Sequence, residues 1–275
     1  MRFILLLLCL QPALLAAAPR VVASIVPLQE IAAAVMSGVG EPGVIIEGEA
    51  SAHHFAFRPS HMERLQQADL VIWVDRHFES GFSRVPAILP ASTATLELAP
   101  ALGIGGSDGH FWYAPELAQK SVELIAEKLI SLDPAQRAQY LANARSLVEK
   151  IHAWRQRIDT RWQQEAPRIL TAHEFLRSFA AEFGGFAIES IYDRHDARGG
   201  LKDLNRLEEW LRKPPPPCLL TQERDLPALA ESLADKYGLP VVRLLEEPST
   251  AGGEDAFPRR LARLEAAIER CAGGR

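Results

Sequence analysis

The stretch DPAQRAQYLANARSLVEKIHAWRQRIDTRWQQ (Asp133–Gln164) decides how this chain is read. Asp133 suits a helix N-cap and Pro134 the first helical position, and no glycine or further proline follows up to Gln164. Leu141, Ala144, Leu147, Val148, Ile151, Trp154 and Ile158 recur at three- and four-residue steps, an apolar stripe on a charged helix. A helix of roughly 30 residues would span roughly 45 Å. That exceeds an ordinary crossover helix, so the segment predicts a spine joining two lobes.

On either side of it the same grammar repeats. Before the spine, Val21–Val26, Val44–Ile46, Leu70–Val74 and Ala94–Leu98 read as short buried strands. Pro27–Met36 carries apolar residues at helical spacing, and Ser60-His61-Met62-Glu63 matches a capping box opening a second helix. After the spine, Arg168–Thr171, Phe186–Ile188, Cys218–Thr221 and Val241–Leu245 are the apolar stretches. Helical segments at Glu174–Phe183, Leu201–Leu211, Leu226–Tyr237 and Phe257–Arg270 lie between and after them, and Pro214–Pro217 is a stiff connector. Strands alternating with helices imply parallel sheets. The predicted fold class is therefore α/β, with two lobes, each a mainly parallel sheet flanked by helices, joined by one long helix. The expected divisions are 19–132, 133–165 and 166–275.

Residues 1–18 read as an export signal. Met1-Arg2 is a minimal basic region, Phe3–Leu8 and Leu10–Leu15 form an apolar core, and Ala16–Ala18 supply small residues for cleavage near Ala17/Ala18. The apolar run is short for a membrane span, which needs roughly 20 residues. Cys9 follows a bulky leucine within that run and is not read as a lipid anchor. Export leaves Cys218 and Cys271, an even pair that reads as a disulfide in an oxidising compartment, the alternative being two buried thiols. A formal net charge of −5, without a basic patch, argues against nucleic acid as a partner. A hydrophobic share of 48% with no later membrane-length run suits a soluble globular protein.

Three of the eight histidines stand in distinctive contexts. They are His53 in Gly48-Glu49-Ala50-Ser51-Ala52-His53-His54-Phe55, His110 in Asp108-Gly109-His110-Phe111-Trp112, and His173 in Leu170-Thr171-Ala172-His173-Glu174-Phe175. Each follows an apolar stretch and is expected where a strand hands over to a loop or helix, the place where open α/β folds hold ligands. Neutral imidazole is the commonest metal ligand, and three of them from separate segments suit zinc. His54 and His77 are nearby alternatives. His61 and His152 fall on expected helix surfaces, and His195 falls in a polar loop.

In these segments the chain resembles the zinc-binding, ZnuA-type subfamily of periplasmic metal-receptor proteins of ABC importers. Ala50-Ser51-Ala52-His53-His54-Phe55 before Arg58-Pro59-Ser60, Ala68-Asp69-Leu70-Val71-Ile72-Trp73-Val74, Asp108-Gly109-His110-Phe111-Trp112 and His173-Glu174-Phe175 match its motifs in order, over essentially the whole chain after the signal. The resemblance implies the metal-receptor binding-protein fold and a Zn2+ site built from His53, His110 and His173. A fourth ligand would be Glu247 in Glu246-Glu247-Pro248, with Glu246 or water in its place as alternatives. It also implies a disulfide between Cys218 and Cys271, periplasmic localisation, a membrane permease as partner, a monomeric state and no enzymatic activity. The chain departs from many zinc members in lacking a His-rich loop: Gly103–Gly109 holds no histidine. Neutral imidazoles are required, so zinc affinity is expected to weaken below about pH 6.5.

Three other readings stay open. A manganese or other divalent-metal receptor is the first, although a nitrogen donor at His173 favours zinc over harder ions. A secreted zinc hydrolase is the second, but Arg177 stands where a His-Glu-x-x-His motif needs its second histidine. A metal-independent adhesin on the same fold is the third.

Overall fold

The computed structural model describes residues 17–47, 55–104, 109–192, 201–222, 225–245 and 253–273. In chain order the elements are β1 (Val21–Ile25), α1 (Val26–Val35), β2 (Gly43–Ile46), α2 (Pro59–Gln66), β3 (Leu70–Trp73), α3 (Val85–Ile88), β4 (Ala94–Glu97), α4 (Leu98–Ala101), α5 (Pro115–Leu132) and α6 (Arg137–Arg161). There follow β5 (Arg168–His173), α7 (Arg177–Glu182), β6 (Ala187–Tyr192), α8 (Leu201–Leu211), β7 (Cys218–Thr221), α9 (Ala228–Tyr237), β8 (Val241–Arg243) and α10 (Ala256–Cys271).

Two four-stranded sheets result, ordered β2-β1-β3-β4 and β6-β5-β7-β8, and every pairing is parallel. The central strands β1, β3 and β7 are buried at every residue, while β4, β6 and β8 on the flanks are partly exposed. That contrast explains the sequence pattern: a strand covered on both faces reads as a continuous apolar run, not an alternation. In each sheet the chain runs first to one side of the opening strand and then to the other. The switch points therefore lie between β1 and β3 and between β5 and β7, at their carboxyl ends.

The main core crosses from one lobe to the other. It joins Val22, Ile31 and Ile72 to Val122, Ile151 and Trp154 of the long helices and to Phe179, Leu220 and Phe257. A smaller cluster, Leu170, Leu207, Leu211, Leu219 and Leu233, covers the other face of the second sheet beneath α8 and α9. The spine α6 packs against α1, α5 and α10. Its Asn143 donates to the carbonyls of Val35 and Ser37 at 2.9 and 2.8 Å, closing the end of α1.

Several local expectations are corrected. The spine is a 25-residue helix preceded by a 3-10 turn at Pro134–Gln136. Asp133 does not cap it; the buried carboxylate accepts from Tyr140 Oη at 3.2 Å, because both groups face the core and satisfy each other there. α2 begins at Pro59 instead of after Ser60, and His61 Nδ1 accepts the Arg58 amide at 3.1 Å. The helix expected from Glu174 is confined to Arg177–Glu182. The structure also contains α5, an 18-residue helix between the His110 turn and the spine.

Cys218, at the start of β7, and Cys271, at the end of α10, form the disulfide, with Cα atoms 5.2 Å apart and a separation of 53 positions in sequence. Since the strands are parallel, this staple lies at the opposite end of the second sheet from His173. Closing a loop of this length constrains the unfolded chain by about 4 kcal/mol. Reduction, or a Cys218→Ser/Cys271→Ser pair, is therefore expected to lower the midpoint of thermal unfolding by on the order of 10 °C. A shift too small to measure would mean that the bond adds nothing beyond the packing of α10.

Candidate metal centre

His173 is the last residue of β5, at the switch point of the second sheet, as its sequence context predicts. His110 is not at a strand end. Helix α4 and a further loop separate it from β4, and it precedes a 3-10 turn, Phe111–Tyr113. Strand periodicity misplaces His110 because β4 ends at Glu97 and the chain turns into α4 before reaching it. His53, His54, His195, Glu246 and Glu247 lie outside the described residues. Among the alternatives that are described, His77 and His152 are exposed, and His61 is held in its helix cap.

The fold brings His110 and His173 together. Their ring centroids are 5.4 Å apart, and the residues are only 9% and 6% exposed. Two imidazoles bound to one tetrahedral ion through nitrogens at about 2.0–2.1 Å place their centroids about 5 Å apart. The separation of the two rings is thus compatible with one shared ion. Among the described residues no group of three or more His, Cys, Asp or Glu side chains converges, and His110 and His173 are the two expected ligands that are described.

The surroundings of the pair are aromatic. The Phe78 ring stands edge-on to His110 at 5.0 Å, Trp112 lies at 5.2 Å, and Phe175 approaches His110 at 6.3 Å and His173 at 5.3 Å. An apolar wall of this kind excludes water and lowers the local dielectric constant, strengthening any bond from nitrogen to a cation. Glu174, beside His173, forms an ion pair with Arg177, so the residue that replaces the second histidine of a hydrolase motif engages the carboxylate.

The turn bearing His110 is tied to the second lobe. Gln222 Nε2, just past β7, donates to Tyr113 Oη at 3.3 Å, and Arg260 Nη1 of α10 donates to the same oxygen at 3.5 Å. Arg260 also makes a two-pronged ion pair with Glu30 of α1, both residues being buried. Glu182 of α7 accepts the Glu116 amide at 2.9 Å at the start of α5, immediately after the His110 turn. Burial raises the Glu182 carboxyl, and the Glu116 and Leu117 amides oppose that rise. None of these cross-lobe partners carries a local sequence signal. The run Phe111-Trp112-Tyr113 beside His110 was the one available pointer.

At the switch point of the first sheet lies a fully buried carboxyl, Glu79, whose Oε2 accepts the Val74 amide at 2.7 Å. Burial is the main cause that pushes it up to about 8; Asp75 and Glu97 add to the rise and the Val74 amide opposes it. The folded chain therefore holds this proton more tightly than the unfolded chain, where the ordinary value is 4.5. The resulting stability is complete below about pH 4.5 and is lost as pH rises towards about 8, at up to about 1.4 kcal/mol per unit. Glu79→Gln, which keeps a neutral side chain at every pH, should match wild type near the acid end and become increasingly more stable above it. Urea unfolding of both proteins across this window checks the sign, and parallel curves would show that Glu79 is ionised in the fold.

The chain is thus a parallel two-lobed α/β protein with one long helix between the lobes and a buried histidine pair where the lobes meet. Residues 21–271 match the ZnuA family, described as the periplasmic component A of a zinc-uptake complex, and the chain belongs to that family. It is 23% identical over 305 aligned positions to the high-affinity zinc uptake system protein ZnuA of Brucella abortus, with 91% of each chain covered. It is 22% identical to the iron-binding protein YfeA of Yersinia pestis, covering 93% of this chain and 86% of that one. Among solved structures, the periplasmic zinc-binding protein TroA of Treponema pallidum superposes with a TM-score of 0.79 at 16% identity, over 92% of this chain and 98% of that one. The last comparison shows the shared fold.

Proposed function

We propose that this chain is the zinc receptor of an ABC-type importer, exported to the periplasm, where it binds Zn2+ between its lobes and delivers it to a membrane permease. Residues 1–18 are then the export signal, 19–132 the first lobe, 133–165 the linking helix and 166–275 the second lobe. His110 and His173 supply two nitrogens, His53 the third, and Glu247 the fourth donor, with Glu246 or water as the alternatives. The protein acts as a monomer, binds no nucleic acid and catalyses no reaction. The observation that carries this reading is the buried His110–His173 pair at 5.4 Å, a spacing suited to one tetrahedral ion.

Zinc is preferred to manganese because of the donor set. Three imidazole nitrogens and one oxygen suit a borderline ion in tetrahedral geometry, whereas harder ions favour more carboxylate oxygen. The iron-binding name of one relative keeps selectivity a matter for measurement. Metal-stripped protein, without residues 1–18, titrated by calorimetry should take up one tight equivalent of zinc and bind manganese weakly. Equal or tighter manganese binding would make it a receptor for harder ions. Weak, multiple zinc binding that survives removal of all three histidines would sink the site.

A further inference from the structure

We propose that Phe78 is a positioning residue for the His110 imidazole, and that Gly109 is glycine because the Phe78 ring occupies the space of a side chain there. This rests on the zinc-receptor reading above and adds to it a residue outside the ligand set.

Gly109 does not adopt a positive φ, so its backbone alone does not require glycine. Space does. A Cβ built at this position would lie 1.8 Å from Phe78 Cδ2 and 2.4 Å from Cγ, far inside van der Waals contact. The ring therefore lies flush against the peptide that leads into His110, and it also stands edge-on to the His110 ring at 5.0 Å and 86°. Trp112 packs edge-on against the same phenyl ring at 5.9 Å and against His110 at 5.2 Å, so the imidazole is gripped between two aromatic groups.

Phe78 is itself held firmly. Asp75, buried at the end of the first switch point, accepts the amides of His77 and Phe78 at 2.8 and 2.7 Å through one carboxylate oxygen. The Glu79 amide donates to the Asp75 carbonyl at 2.9 Å, and the Glu79 carboxyl returns to the Val74 amide. These bonds fix the turn from Val74 to Glu79 on the first sheet, and the turn fixes the ring. The first sheet thus sets the direction of His110 through Phe78, although His110 lies well outside the sheet. Groups that orient a ligand in this indirect way change metal affinity by about 10–100-fold when lost.

The test uses the metal-stripped chain lacking residues 1–18, with zinc affinity read by chelator competition and ligand geometry read from the visible bands of the cobalt(II)-loaded protein. Phe78→Leu, which keeps the core filled, and Gly109→Ala, which must displace the ring, should each weaken zinc by about 10-fold or more and alter the cobalt spectrum. Combining Gly109→Ala with Phe78→Ala removes the clash, so the double variant should lose less than the losses of Gly109→Ala and Phe78→Ala, each measured alone, multiplied together. If Phe78→Leu and Gly109→Ala lower only the unfolding temperature and leave affinity and spectrum as in wild type, Phe78 is packing and the proposal falls. His110→Ala separates the two levels. If wild type binds and that variant does not, a failure of the Phe78 series overturns this inference alone. If His110→Ala binds like wild type, the site reading fails and this inference with it.

Discussion

Replacing His173 with alanine is expected to lower zinc affinity by about 100- to 1,000-fold, and His110→Ala to do the same. Apparent free energies of about 10–16 kcal/mol for protein zinc sites, shared among four donors, amount to about 2.5–4 kcal/mol for each. Each 1.4 kcal/mol is a tenfold change in dissociation constant. Neither loss is readily repaired from nearby. His173 ends a buried strand whose register is fixed by pairing with Tyr192, and His110 is enclosed by Phe78, Trp112 and Phe175. His53→Ala should fall in the same range on the proposed ligand set, while Glu247→Ala should cost less, because water can replace a carboxylate oxygen. Competition titration measures the affinities, and the unfolding temperature of the metal-free variants separates lost donors from lost fold. A change under threefold for His110→Ala or His173→Ala would remove that histidine from the site.

The two residues differ in how far their placement was legible in the sequence. Ile169-Leu170-Thr171-Ala172 is an apolar strand ending at His173, and the structure ends β5 at that residue. A period-two or continuous apolar run is local information, so a ligand at a strand end is legible. The long helix was legible on the same grounds, through the stripe from Ala144 to Ile158. Its first turn was not, because Asp133 was claimed by Tyr140 across the core. The fold class followed from the alternation of strands and helices, and the Cys218–Cys271 pairing from the resemblance and the even count. The α5 helix had usable signals, Pro115 at its start and Val122, Ile125, Ala126 and Leu129 at helical spacing. The partners of His110 had none. Phe78 is 32 positions away and meets it through a glycine whose role is to be small. Glu30 and Arg260 are separated by 230 positions. In an amphipathic helix such as α10, periodicity ranks Arg259 and Arg260 together as polar and cannot tell which one the fold will bury.

That buried arginine carries a large expected effect on stability. Arg260 is 1% exposed and Glu30 7%, and the guanidinium grips both carboxylate oxygens while reaching Tyr113 Oη. Arg260→Met should destabilise the fold by about 3–5 kcal/mol, because it leaves the Glu30 carboxylate in a site with little water. In a chain of this size that corresponds to a fall in the unfolding midpoint on the order of 10 °C. The cost belongs to the orphaned charge more than to the lost attraction. A matched change, Arg260→Met with Glu30→Leu, should therefore recover most of the loss, since buried ion pairs replaced by apolar groups of similar volume are often neutral or stabilising. Denaturant unfolding of the three variants tests this, and a single variant within about 1 kcal/mol of wild type would show that Glu30 finds solvent or a proton. If the matched variant regains stability yet binds zinc less well than wild type, the ion pair acts on geometry: it holds α1 of the first lobe against α10 of the second, and with them the turn that places His110 opposite His173.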